Sequence, residues 1–262
     1  MHLGIHPLVL LVAVIGISAA LASGIIGIFI VSGKIKSVKI LGIGYIVLSV
    51  LELFSEAAFL SRFIIRTTEM GAAANNINTV LSFATSIVGT LIICLFVHKN
   101  YGCKWIYFPL FAQPVVSAIS PVVFGIVISR ISNQMTFIAG TGLSTNITSL
   151  VTGSVSAIIL IIVLYKNRKV EKIIPHAWII RLITYLWGLV MTIAGIVFYA
   201  SCLSGGADSE QIYVNMLTEF STFQYIHTAI SRIVTLALPI YILVMVKRAE
   251  KKLEETSAYI EE

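Results

Sequence analysis

Apolar residues in this chain do not alternate with polar ones. They come in runs of about 20 to 25, the length that crosses a bilayer as an α-helix, bounded by charge, Gly, Asn or Pro. The runs near 7–31, 38–61, 77–97, 105–129, 144–165, 178–203 and 223–246 predict an all-α, polytopic transmembrane helix bundle of about seven spans over residues 1–246. Residues 247–262 are left as a short tail that begins basic and ends acidic. Leu253 and Ile260, seven apart, fit an amphipathic helix, and a frayed, solvated end anchored by Lys and Arg is the other reading.

Basic residues then orient the spans. Lys34, Lys36, Lys39, Lys99, Lys104, Lys166, Arg168, Lys169, Lys172, Lys247, Arg248, Lys251 and Lys252 fall at one set of span ends, against Arg62, Arg66 and Arg130 at the other. The positive-inside rule places the amino terminus outside and the carboxyl terminus in the cytoplasm. The outer connections, near 62–76, 130–143 and 204–222, are expected to be the longer loops, and neither side has room for a folded soluble module.

Composition agrees: 58% hydrophobic and 11% charged residues exclude an ordinary soluble fold, where about 25% are charged. The net charge of +6 follows span ends and not a continuous patch, so it signals topology and no nucleic-acid partner. Cys94, Cys103 and Cys202 have no CxxC or metal-like spacing and read as structural. The run Leu8 to Ala19 imitates a secretory signal, but no Lys or Arg precedes it and apolar sequence continues through Val31, which argues for an uncleaved first helix.

Candidate chemistry lies where polar residues recur at helical spacing inside the runs. Gly16, Ala20 and Gly24 read as a packing stripe. Asn78 and Ser82 in the third span, Thr148 and Thr152 in the fifth, and Ser231 in the seventh line up as possible cavity walls. Glu52, Glu56 and Arg232 carry more weight, because charge in the hydrocarbon is costly unless paired or wetted. At about 1.5 Å rise per residue, Glu52 stands about 20 Å above Lys39 and Arg232 about 22 Å above Lys247. The matching depths predict a Glu52–Arg232 ion pair, with Glu56 nearer the outer interface. Two neighbouring carboxylates can also hold a proton or cation in competition with Arg232.

His227, one turn outward of Arg232, is expected near the outer interface, within reach of a ligand. Pro109, Pro114 and Pro121 predict an interruption of the fourth span, where Gln113 and Ser117 are placed to meet an ion or polar solute. Arg181, after Pro175, His176 and Trp178, reads as a cytoplasmic anchor that snorkels to the interface. The pattern Asn146-Ile147-Thr148 begins a span and is disregarded as a glycosylation acceptor. No metal ligand set and no cofactor motif is found; His2, His6 and His227 lack a completing carboxylate or cysteine.

These polar residues gather in the expected outer half, whereas Leu91–Val97, Ile158–Leu164 and Ile240–Val246 make the inner half oily. A polar cavity open to the exterior follows. The residues required by familiar seven-span families are missing: Val97-His98-Lys99 ends the third span, and no lysine lies within 223–246 to hold retinal. Gln113-Pro114 reverses the Pro-Gln dipeptide of the small sugar transporters. The expectations are therefore general. A transporter of a small polar or ionic solute comes first. A receptor, sensor or accessory subunit acting through a membrane protein partner comes second. An intramembrane enzyme is third and disfavoured, because the chain lacks the adjacent glutamates and paired intramembrane histidines such chemistry uses. The bilayer is the expected surrounding, in the cell membrane.

Overall fold

The computed structural model describes residues 7–64, 68–128, 134–168, 173–204 and 209–261. His2, His6, Arg66, Arg130, Lys169 and Lys172 lie outside them, as do the side chains of Arg62, Asn78, Pro121 and Ile260. Eight helices follow in order: α1 Pro7–Ser32, α2 Lys39–Ile64, α3 Thr68–Tyr101, α4 Tyr107–Ile128, α5 Gln134–Lys166, α6 Ala177–Ser204, α7 Ser209–Thr235 and α8 Ala237–Glu261. Single 3-10 turns, Lys36–Val38 and Lys104–Ile106, lead into α2 and α4.

Among the described residues, six helical stretches are long and apolar enough to cross a membrane: Pro7–Ser32, Lys36–Ser61, Thr79–Tyr101, Ala139–Lys166, Ala177–Ser204 and Glu219–Thr256. The chain is thus an integral, multi-pass membrane protein. Where a fourth span is expected, α4 is a 22-residue helix without a charged side chain, but it is not among those six stretches.

Three expectations about helix limits change. The loops expected near 62–76, 130–143 and 204–222 are shortened among the described residues, because α3, α5 and α7 begin at Thr68, Gln134 and Ser209, ahead of their apolar runs. For α7 the reason is visible: Tyr213, Met216 and Phe220 pack on Phe198 and Cys202, with the Phe198 and Phe220 rings stacked at 4.2 Å. The predicted interruption of the fourth span is absent. Pro109 falls in the first turn of α4, where a missing N–H costs nothing, and the helix continues through Pro114 and Pro121 to Ile128. The break lies instead at Leu236, between α7 and α8. Pro239 has no N–H to return to Thr235, and the backbone there closes three-residue and four-residue bonds, Leu236 N–H to Ile233 O and Ile240 N–H to Leu236 O, both 3.1 Å.

Each of α1 to α7 packs against the next in sequence, and α7 returns to α1, so the helices close a ring. Bulky residues of α1 such as Leu10, Val14, Leu21, Ile25 and Ile28 are exposed, whereas Ala13, Gly16, Ala20 and Gly27 are buried. Small residues inward and large ones outward is the reverse of a water-soluble helix. It suits a bundle whose outside is lipid and whose backbones must approach closely. A Cβ on Gly27 would lie 2.6 Å from the Gly42 carbonyl oxygen, and one on Gly24 would lie 2.5 Å from Ser49 Oγ, an antiparallel register of α1 on α2. On α5 and α6, Gly142 faces Tyr199 and Gly195 faces Asn146 in the same way, so Asn146 is a packing residue held between helices.

The largest apolar core gathers at the end of the bundle that carries the basic turns. It includes Ile30, Val38, Cys94, Val97, Ile106, Leu160, Val163, Ile242 and Val246. The apolar part of the last stretch ends at Val246, and α8 runs on past Lys247 and Arg248 as a continuous helix to Glu261. Its Glu250 accepts the Lys34 backbone N–H at 2.6 Å and the Lys247 ammonium at 3.0 Å, and Lys34 Nζ donates to Glu254 at 2.9 Å. Gly33 leaves the room: a Cβ there would sit 2.5 Å from Glu250 Oε1.

Candidate functional site

Four polar residues of α2 share one face. Tyr45, Ser49, Glu52 and Glu56 follow at intervals of four, three and four, within about 60° of one another around the axis. The opposite face carries exposed Ile43, Val47, Val50 and Phe54, which marks the lipid side. The stripe therefore points into the bundle.

At the end of the stripe away from Lys39 an ion pair joins α2 to α7, but the partner differs from the expected one. Arg232 Nη2 donates to Glu56 Oε1, and the Glu52–Arg232 pair is corrected accordingly. Depth had favoured Glu52; rotation favours Glu56, whose carboxylate turns toward α1 and lies against Gly16. Glu56 is 3% exposed, while Arg232 keeps 31% exposure. The bond is single-pronged, and Arg232 Nε is buried with no partner among the described residues. Glu52, one turn inward, senses the Arg232 charge without a hydrogen bond to it. Two carboxylates thus flank one guanidinium, one engaged and one not.

His227 is buried between α6 and α7. Its Nε2 donates to the Trp187 carbonyl at 3.1 Å, and its Nδ1 accepts from Ser231 Oγ at 3.3 Å. Trp187 Nε1 donates to Ser231 Oγ at 2.8 Å, and the Trp187 and His227 rings stack at 4.8 Å. Ser231 Oγ is shared between Trp187 and His227, which ties α6 to α7 and makes His227 and Ser231 builders of the wall beside Arg232.

The remaining expected wall residues divide. Thr148 accepts from Ser120 Oγ at 3.2 Å, and Thr152 donates back to the Thr148 carbonyl at 2.8 Å, both at the α4–α5 contact. Gln113 lies beside Gly153 and Ser117 is half-buried, also on α4. Asn78 stands on α3 with its side chain outside the described ones. Ser82 is exposed, as is Ser86 one turn on, although both lie on the side of α3 away from exposed Val80, Leu91 and Leu95.

The same oddity recurs on α6 and α7. Exposed Ile183, Leu186, Val190 and Ile193 mark the outer face of α6, yet Gly188 on the opposite face is exposed too, with nothing within 4 Å of an added Cβ. On α7, Gln224 and Thr235 are exposed opposite Ile226, Ile230 and Ile233. Exposed residues thus recur on the faces of α3, α6 and α7 that are turned away from their exposed aliphatic stripes.

One residue was misread from sequence. Arg181, on the inward face of α6 seven residues before Gly188, does not snorkel to the interface. Its Nε is buried without a partner, and Tyr45 of α2 is the ionisable group near enough to act on its charge. Its position two turns from Pro175 suggested an anchor, and only the rotation of α6 reveals otherwise.

Among the described residues no group of three or more His, Cys, Asp or Glu is placed to hold a metal ion. A groove of about 390 Å³ beside Arg248, Lys251, Lys252 and Glu255 on α8 lies beyond the apolar stretch and apart from the ion pair. Comparison with protein-family models, with curated proteins and with solved structures found no match.

Proposed function

We propose that the chain is a membrane transporter of a small polar or ionic solute, without enzymatic activity, in which Glu56, Arg232 and Glu52 form the gate and coupling site. The observation that carries this reading is the single-pronged Glu56–Arg232 pair beside a second, unengaged carboxylate. A proton or cation at either carboxylate changes which one Arg232 prefers. Because Glu56 is on α2 and Arg232 ends α7, that exchange moves two helices relative to each other. The break at Leu236 lets α7 swing while α8 stays clamped to Lys34. Counting α4 as a span gives seven, with the amino terminus outside and the basic turns in the cytoplasm of a cell membrane.

The reading is tested by flux in liposomes holding the purified chain, comparing the parent with Glu52→Gln and Glu56→Gln. Proton or cation flux lost in these variants, at matched folding, supports it. A folded parent that moves nothing under any gradient rejects it in favour of a receptor or accessory subunit. The knot of Trp187, Ser231 and His227 would then be the wall of a ligand site, with signalling through a membrane partner.

A further inference from the structure

Arg181 poses a problem of charge. A guanidinium stays protonated at any physiological pH, so burial cannot be relieved by deprotonation. Arg232 has Glu56; Arg181 meets no carboxylate among the described residues, and the ionisable group near enough to act on it is Tyr45. The Tyr45 hydroxyl carries no negative charge at physiological pH, and Arg181 Nε has no acceptor. The arrangement lacks one negative charge.

Space for that charge is visible. Arg181 and Gly188 lie within about 20° of each other around α6, about 10 Å apart along it, and the Gly188 side is open. On α2, Tyr45 and Glu52 are also seven residues apart, which puts Glu52 near the level of Gly188 and Tyr45 near that of Arg181. The oily inner half therefore contains a polar step, continuous with the outer pair along one face of α2.

We propose that Arg181, with the Tyr45 hydroxyl opposite, is an inner binding station for a small monovalent anion that reaches it through the space beside Gly188. This deepens the transport reading and rests on it for direction of movement, though binding itself does not. An anion passing Glu52 is repelled by an ionised carboxylate and admitted by a protonated one, so proton and anion travel together.

The test uses the full chain in phosphatidylcholine nanodiscs, in a gluconate buffer, titrated with chloride or acetate while Tm is followed. The expected result is a saturable rise in Tm. Its midpoint moves to at least about tenfold higher concentration in Arg181→Gln, less in Arg181→Lys, and stays in place in Lys251→Gln, which removes an exposed cation of α8. Should Arg181→Gln fail to fold, Tyr45→Phe, which deletes one hydroxyl, is expected to weaken the same response. A response unchanged in Arg181→Gln or in Tyr45→Phe, or none in the folded parent, overturns the station. Anion binding that needs Arg181 without flux in liposomes keeps the station and discards transport. Flux indifferent to Arg181→Gln keeps transport and discards the station.

Discussion

The Glu56 carboxylate occupies the place where Gly16 has no side chain. A Cβ on Gly16 would lie 2.5 Å from both Cδ and Oε1 of Glu56, so the first helix, which carries no charge of its own, positions the acid that holds Arg232. A residue that reads as a packing glycine is thereby part of the candidate site. Its hydrogen in place of a methyl lets α1 and α2 close on a buried carboxylate.

Gly16→Ala is accordingly expected to cost about 1–3 kcal/mol through overpacking, and to displace Glu56. In a Glu56→Ala background the same change should cost much less, since the clashing group is gone. Thermal unfolding of the four proteins in detergent measures the difference; equal costs in both backgrounds would contradict the contact.

The ion pair should behave as a coupled unit. Glu56→Gln leaves a half-buried guanidinium uncompensated and is expected to destabilise by about 3 kcal/mol, the low end for a buried pair because Arg232 keeps partial exposure. Glu56→Gln with Arg232→Gln should recover part of that loss. An additive double variant would show that the two groups do not interact.

Acid should loosen α8 at one identifiable point. The Lys34 backbone N–H, and next the Lys247 ammonium, hold the Glu250 carboxyl below its ordinary value of 4.5. A depressed carboxyl stabilises the fold fully above that ordinary value, and the contribution is lost as pH falls through the lower, folded value. The protection factor of the Lys34 amide should hold at neutral pH and fall as acid protonates the Glu250 carboxyl, and Glu250→Gln should remove that fall. A protection factor at Lys34 that ignores pH in the parent would contradict the clamp.

Ser231→Ala leaves Trp187 Nε1 and His227 Nδ1 without partners in a buried place, at an expected cost of about 1–3 kcal/mol. Trp187→Phe in the same background removes one orphan and should restore part of the stability, read as Tm in detergent.

Membrane insertion, helix count to within one span, and the inward concentration of polar residues were legible without coordinates. Hydrocarbon penalises each exposed polar group locally, so runs of apolar residues declare themselves one by one. The oily, basic-edged end also followed from sequence, as Val97, Val163 and Val246 now show in the core there. Which carboxylate meets Arg232 did not follow. Depth comes from counting residues, but partnership depends on how each helix is rotated, and rotation is set by contacts such as Gly16 on Glu56 and Gly24 on Ser49. The same holds for Arg181, whose place near a span end is compatible with either the interface or the interior until α6 is packed. Pro114 and Pro239 teach it once more: both remove a backbone donor, yet α4 continues and the α7–α8 junction breaks. The sequence by itself determined what must leave water; the tertiary structure decided which buried groups meet, because long-range packing alone orients one helix face toward another.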